Sequence, residues 1–228
     1  MISFDSVIGF IKVEYARLAA EYNINPDTYP IFIADRLDEA IEGYDRAKND
    51  FDDAKEVEDF FCGYHSESNF ATTKFYAKFA CSMDDTETGI DMWVIVKKAI
   101  LMNMLYEYDA PVEFWKKYFR LHLRHEIGHI LHHLKIFDPG DDYINNPFTK
   151  MQDEYYKRLN DFFDSQDIDY WIYQDDATLS EYLRFYYSLP GEIEANNEVG
   201  IDVNEIINME LELQNYKREM TTMWRNDF

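Results

Sequence analysis

Cysteine is scarce in this chain. Cys62 and Cys81 are the two among 228 residues, too few and too isolated for a disulfide framework or a four-cysteine metal site. That usage fits a reducing compartment. Basic residues are few as well, 22 against 45 acidic ones, giving a net charge of -23. Such a field repels phosphate backbones and anionic membranes, so direct nucleic-acid binding is not expected. Long apolar runs are missing too. The most apolar segment, Ile90 to Leu105, contains Asp91, Lys97 and Lys98, so no membrane-spanning helix is expected. The N-terminus has no basic leader region, and Asp5, Lys12 and Glu14 interrupt it before an apolar run develops. No signal peptide is expected, and the implied location is cytoplasmic.

Hydrophobic residues make up 46% of the chain and aromatic residues 17%, which is too rich for a disordered chain despite the charge. The length suits one domain spanning 1–228. Apolar residues at Phe4, Val7, Ile8, Ile11, Tyr15 and Leu18 follow the three-and-four spacing of an amphipathic packing helix. After Asn25-Pro26 and Pro30, a second helix is predicted from Ile31 into the acidic stretch around Asp50 to Asp59. Phe70 to Met83 and Ile90 to Val96 flank a polar, glycine-ended turn and read as a β-hairpin. Ala99 to Tyr108 fits strand or helix equally.

Asp109-Ala110-Pro111 supplies a cap and a first-turn proline for one long helix over about Pro111 to Phe137. Further helices are predicted near Phe148 to Phe163, Thr178 to Tyr187, and from Glu192 to about Lys217. No internal repeat or low-complexity linker interrupts the chain.

The long helix carries His125, Glu126 and His129. Four residues separate the histidines, so both imidazoles lie on one face and can reach one ion. Imidazole pairs of this kind suit tetrahedral zinc, with a further position kept for water. Glu126 projects beside the metal, where it can act as general base towards a water whose pKa the ion has lowered. Gly128 in mid-helix costs about 1 kcal/mol against alanine and implies a close neighbour.

A third ligand is required, and the metzincin pattern fails because it wants Gly at 132 and His at 135, where this chain has His132 and Lys135. After Gly191, Glu192 and Asn196 share one helix face, with Ala195 offering a small packing surface. Glu192 can bind zinc while Asn196 orients a ligating histidine. Glu194 points away and Glu198 lies farther along. His122, His132, His133 or a tyrosine are candidates to stabilise an oxyanion, and the spacing does not choose among them.

The run Arg124-His125-Glu126-Ile127-Gly128-His129-Ile130-Leu131-His132, followed by Glu192-Ile193-Glu194-Ala195-Asn196, resembles the paired motifs of gluzincin-type zinc metallopeptidases. Within that group it is most similar to the ImmA/IrrE-like peptidases, with phage-exclusion Lit-like proteases as another relative. The resemblance implies His125, His129 and Glu192 as zinc ligands and Glu126 as catalytic base. It also implies an α+β zincin-like core, an active-site helix beside a small, mostly antiparallel sheet, with additional helices. The interval from His129 to Glu192 is longer than in those compact families, which implies a helical insertion at about 138–190. Asn196 stands where many gluzincins carry Asp. The expected partner is a specific protein or peptide substrate.

Two rival readings remain at this level. One is a non-enzymatic acidic protein that mimics DNA or binds a partner, with an inert or structural HExxH helix. The other keeps zinc without proteolysis.

Overall fold

Ser3 opens the first helix: its Oγ accepts from the Ser6 backbone N–H at 3.2 Å. The helix ends at Glu21 with Tyr22 as its C-cap, and Asn23, with a positive φ of 57°, turns the chain. The computed structural model describes residues 3–34, 71–78, 89–136, 150, 154, 157–158 and 176–217. These residues are helix-rich. In chain order they form α1 (Phe4–Glu21), β1 (Ile31–Ala34), β2 (Ala71–Lys78), β3 (Gly89–Lys97), α2 (Lys98–Glu107), α3 (Val112–Ile136), α4 (Asp176–Tyr186), α5 (Pro190–Val199) and α6 (Val203–Gln214).

Ile31 does not start a helix. Pro30 breaks the chain, its carbonyl accepts from the Val94 N–H at 2.9 Å, and Ile31–Ala34 pairs in parallel with β3 from Ile31↔Val94 to Ala34↔Lys97. Ile31 and Ile33 are β-branched, which suits a half-buried pleated surface better than an open helix. The acidic stretch at 50–59 lies outside the described residues.

β2 and β3 pair antiparallel from Ala71↔Val96 to Lys78↔Gly89, as the hairpin reading expects, while the connecting residues lie outside the description. The strand order is β1-β3-β2, so the sheet is mostly antiparallel with one short parallel strand added, and β2 forms one edge among the described residues. Val94 and Val96 of the central strand are fully buried on one face. The segment that fits strand or helix equally is a helix, α2, which follows β3 without a loop.

Fourteen of the residues of α3 are buried, from Phe114 to His133, and they fall on nearly every side. A helix buried all round belongs to the core, and here α1, the sheet, α5 and α6 surround it. Val7, Ile11, Tyr15 and Leu18 of α1 share one apolar core with Trp115, Phe119, Leu123, Ile127 and Ile130 of α3. Rings of Trp115 and Phe119 stack with centroids 5.4 Å apart.

The single helix expected over 192–217 is two. Gly200 adopts φ 64°, and Asp202 then caps α6 by accepting from the Asn204 N–H at 2.9 Å. Of the predicted helix at 148–163, only 150, 154 and 157–158 are described, and all four are helical. Cys62 and Cys81 lie outside the described residues, as does most of the segment 138–190 where a helical insertion is expected. Among the described residues no helix is long and apolar enough to cross a membrane.

Glu14, though charged, is buried where α1 meets α3. Its Oε1 accepts from Arg17 Nη2 at 2.7 Å and from Arg120 Nε at 2.6 Å. Burial pushes its pKa up, and the two guanidinium partners outweigh this to leave it below the usual 4.5. A lowered folded pKa contributes stability above 4.5 that is lost as pH falls through the folded value. Both arginines are half-exposed, which limits the gain. Glu14→Gln is therefore expected to cost about 1 kcal/mol at pH 7. In urea denaturation the gap from the native chain should close as the pH drops below 4.5; a gap that stays constant with pH would contradict this assignment.

Candidate metal centre

His125, Glu126 and His129 all sit in the buried middle of α3, with Glu126 5% exposed. Facing them is α5, opened by Leu189 at the N-cap and Pro190 in the first turn. Glu192 lies in that first turn, where the positive end of the helix dipole favours a carboxylate. Four residues later Asn196 lies on the same face, and Ala195 is between them on the approach to α3.

The two helices meet backbone to backbone. A Cβ placed on Gly128 would fall within the Ala195 carbonyl group, 2.8 Å from its carbon and 3.2 Å from Cα, with the oxygen closer still. Only glycine allows this approach. It is the close neighbour that a mid-helix glycine implies.

At this separation three side chains converge. His125 Nε2 lies 2.9 Å from Glu192 Oε2, His129 Nε2 lies 3.4 Å from the same oxygen, and the two nitrogens are 3.1 Å apart. His125 Nδ1 lies 2.9 Å from Asn196 Oδ1. With the amide oxygen as acceptor, Nδ1 carries the proton, and the Nε2 lone pair is left facing Glu192 and His129. Glu192 Oε2 is buried without a hydrogen-bond partner. Electron-pair donors gathered this closely in a dry place need positive charge between them.

Protons can supply part of it. Burial pulls the His125 pKa down, but the adjoining Glu192 carboxylate, with Glu126 and Asn196, more than reverses this and brings it up to about 9. Burial pushes Glu192 up, and His129 and His125 together hold it well below the usual carboxylate range. A cation is the other solution. His125, His129 and Glu192 form a group whose ligand atoms all lie within 4.8 Å of one another and which can hold a metal ion. His125 and Glu192 are closed off, whereas the His129 side chain is 16% exposed and marks the open side.

The remaining site candidates separate by position. Glu126 is close enough to His125 and Tyr15 that its charge raises both pKa values, adding in Tyr15 to the larger effect of burial. Glu194 is exposed, and Glu198 pairs with Lys135 at 2.5 Å. His122 is 2.9 Å from Glu210 Oε1, an oxygen that also accepts from the Tyr118 hydroxyl at 2.8 Å. His132 lies two turns along the same side of α3 from His125, within the field of Glu194, His129 and Glu198, and burial holds its pKa below 6.5. His133 stacks on His129 with centroids 6.3 Å apart, and burial, reinforced by His129 and His132, holds its pKa well below 6.5.

Sequence reasoning missed Tyr187, whose ring meets His125 edge-on at 5.6 Å. It also missed Arg124 and Tyr22, which bind the end of α5. Tyr187 stands two residues before the Leu189-Pro190 helix start, and that nearness was its one available signal. No family model matches the chain, and neither a curated protein nor a solved structure matches it.

In an ordinary helix interior Gly→Ala gains about 1 kcal/mol. At position 128 the sign should reverse, with Gly128→Ala losing about 1–3 kcal/mol in denaturant titration as α5 is forced away. Metal uptake should fall with it. A Gly128→Ala chain as stable as the native one, with unchanged metal uptake, would contradict the close approach.

Proposed function

We propose that the chain is a gluzincin-type zinc metallopeptidase that cleaves a peptide bond in a specific protein target. The observation that carries this reading is the convergence of His125 Nε2, His129 Nε2 and Glu192 Oε2, at separations of 2.9–3.4 Å, beside the buried Glu126. Ligands about 2.0–2.1 Å from a tetrahedral zinc stand roughly 3.3 Å from one another, so the spacing suits that ion. Two imidazoles and a carboxylate are also a donor set that zinc favours.

When bound, zinc would polarise the scissile carbonyl and bring the pKa of a water towards neutrality. The protein's own groups do the rest. Glu126 accepts the proton of the attacking water and passes it to the departing amine nitrogen. Asn196 holds His125 in the tautomer that presents Nε2. Exclusion of bulk water around His125 and Glu192 strengthens every charge interaction there.

In this reading α3 and the sheet form a zincin-like α+β core within a single domain, with an insertion at about 138–190. β2 supports the choice of an extended peptide as substrate. It is the edge of the sheet among the described residues and packs next to α3, so a peptide can add to it as a further strand. The resemblance to ImmA-like and Lit-like peptidases supports a specific protein target over general digestion.

The test is cleavage of a proteome-derived peptide library, read by mass spectrometry as new termini. Glu126→Gln is expected to lower turnover by about 10²–10⁴-fold while zinc is retained. Full cleavage in that variant would contradict the role of Glu126, and no new termini with the native, zinc-loaded chain would contradict peptidase activity.

A further inference from the structure

Arg124 precedes the first metal-site histidine, yet its side chain leaves the site. It reaches the far end of α5, where Nη2 donates to the Val199 carbonyl and, at 3.2 Å, to the Gly200 carbonyl. Its Nε donates to the Tyr22 hydroxyl at 2.9 Å, and that hydroxyl donates in turn to the Val199 carbonyl at 3.2 Å. Tyr22 is the C-cap residue of α1. One guanidinium therefore ties together three helices.

The end of α5 needs these donors. The last carbonyls of a helix have no partner within it. Here the Gly200 and Ile201 N–H groups serve Asn197 and Asn196, at 3.3 and 2.9 Å. The carbonyls beyond them go to Arg124 and Tyr22. A fixed positive charge also suits the negative end of the helix dipole.

Position along α5 gives the contact its consequence. Glu192, Asn196 and Val199 follow the i, i+4, i+7 spacing of one face, the face turned to α3. A ten-residue helix is only about 15 Å long and shifts as a rigid body. Fixing Val199 fixes the reach of Asn196 to His125 Nδ1 and of Glu192 to His125 Nε2. The geometry points to Arg124, backed by Tyr22, as a positioning residue: its clamp on the α5 C-terminus sets the Asn196 and Glu192 contacts with His125.

This inference rests on the metal-site reading for its zinc readout, but its other readout does not. In metal-free, 15N-histidine-labelled chain, the His125 Nδ1–H signal reports the Asn196 contact directly, with Asn196→Ala identifying the signal. Arg124→Ala is expected to shift that signal and speed its exchange with water, and to weaken zinc binding on the order of 10–100-fold in chelator competition. Arg124→Lys should fall between, since an ammonium keeps the charge but not the fork. Tyr22→Phe should show a smaller effect of the same kind. Glu14→Gln lowers stability at the α1–α3 contact through Arg120, without touching the α5 carbonyls or Tyr22, and should leave the His125 signal in place, which separates positioning from general loosening.

A folded Arg124→Ala chain with the native His125 signal and native zinc affinity would overturn the inference. If Arg124→Ala does not fold, Arg124→Lys and Tyr22→Phe carry the same test, and native values in both would overturn it. Loss of the His125 signal in a chain whose native form takes up no zinc would uphold the clamp and remove the peptidase reading.

Discussion

The approach of Gly128 to Ala195 governs the rest of this structure. Two helix backbones in van der Waals contact leave no room for a side chain on one of them, and that brings Glu192 and Asn196 within reach of His125. A methyl group at 128 would hold α5 off by a distance comparable to the slack in a metal–ligand bond set. The glycine weakens α3 locally. The surrounding core offsets this, since Leu123, Ile127 and Ile130 on the same stretch are fully buried.

Electrostatics follows from that packing. The chain is strongly acidic overall, yet its most buried acidic group among the described residues, Glu192, is stabilised by two imidazoles and a helix N-terminus. Without a cation the pocket is balanced by protons, with His125 held charged up to about 9. A divalent ion held there would compete with protons for the same lone pairs. Of the three side chains, His129 alone is partly exposed and gives the group an opening. Glu210, paired with His122 and Tyr118, keeps a neighbouring histidine occupied away from the ligand group.

Much of the site was legible because helical spacing is short-range information. Residues four apart share a face whatever the tertiary context, so His125 with His129 and Glu192 with Asn196 could be paired from sequence. The helix break at Gly200 and Asp202 carried its own signals, a glycine and an N-cap type residue, which the expectation of one helix from Glu192 to about Lys217 passed over. Ile31 was misread because its pairing partner, Val94, lies more than sixty residues away, and propensity near a proline does not reveal a parallel partner. Arg124 and Tyr22 were invisible for a similar reason: their partners are backbone carbonyls, which every residue has, brought near by the fold alone.

The most direct measurement is elemental analysis of the purified chain beside its His125→Ala, His129→Ala and Glu192→Ala variants. The expected result is about one zinc per native chain, lost from each variant, because a dry three-ligand site needs every donor. Absence of zinc from the native chain even after reconstitution would contradict the account, leaving the converging lone pairs of His125, His129 and Glu192 to be balanced by protons alone.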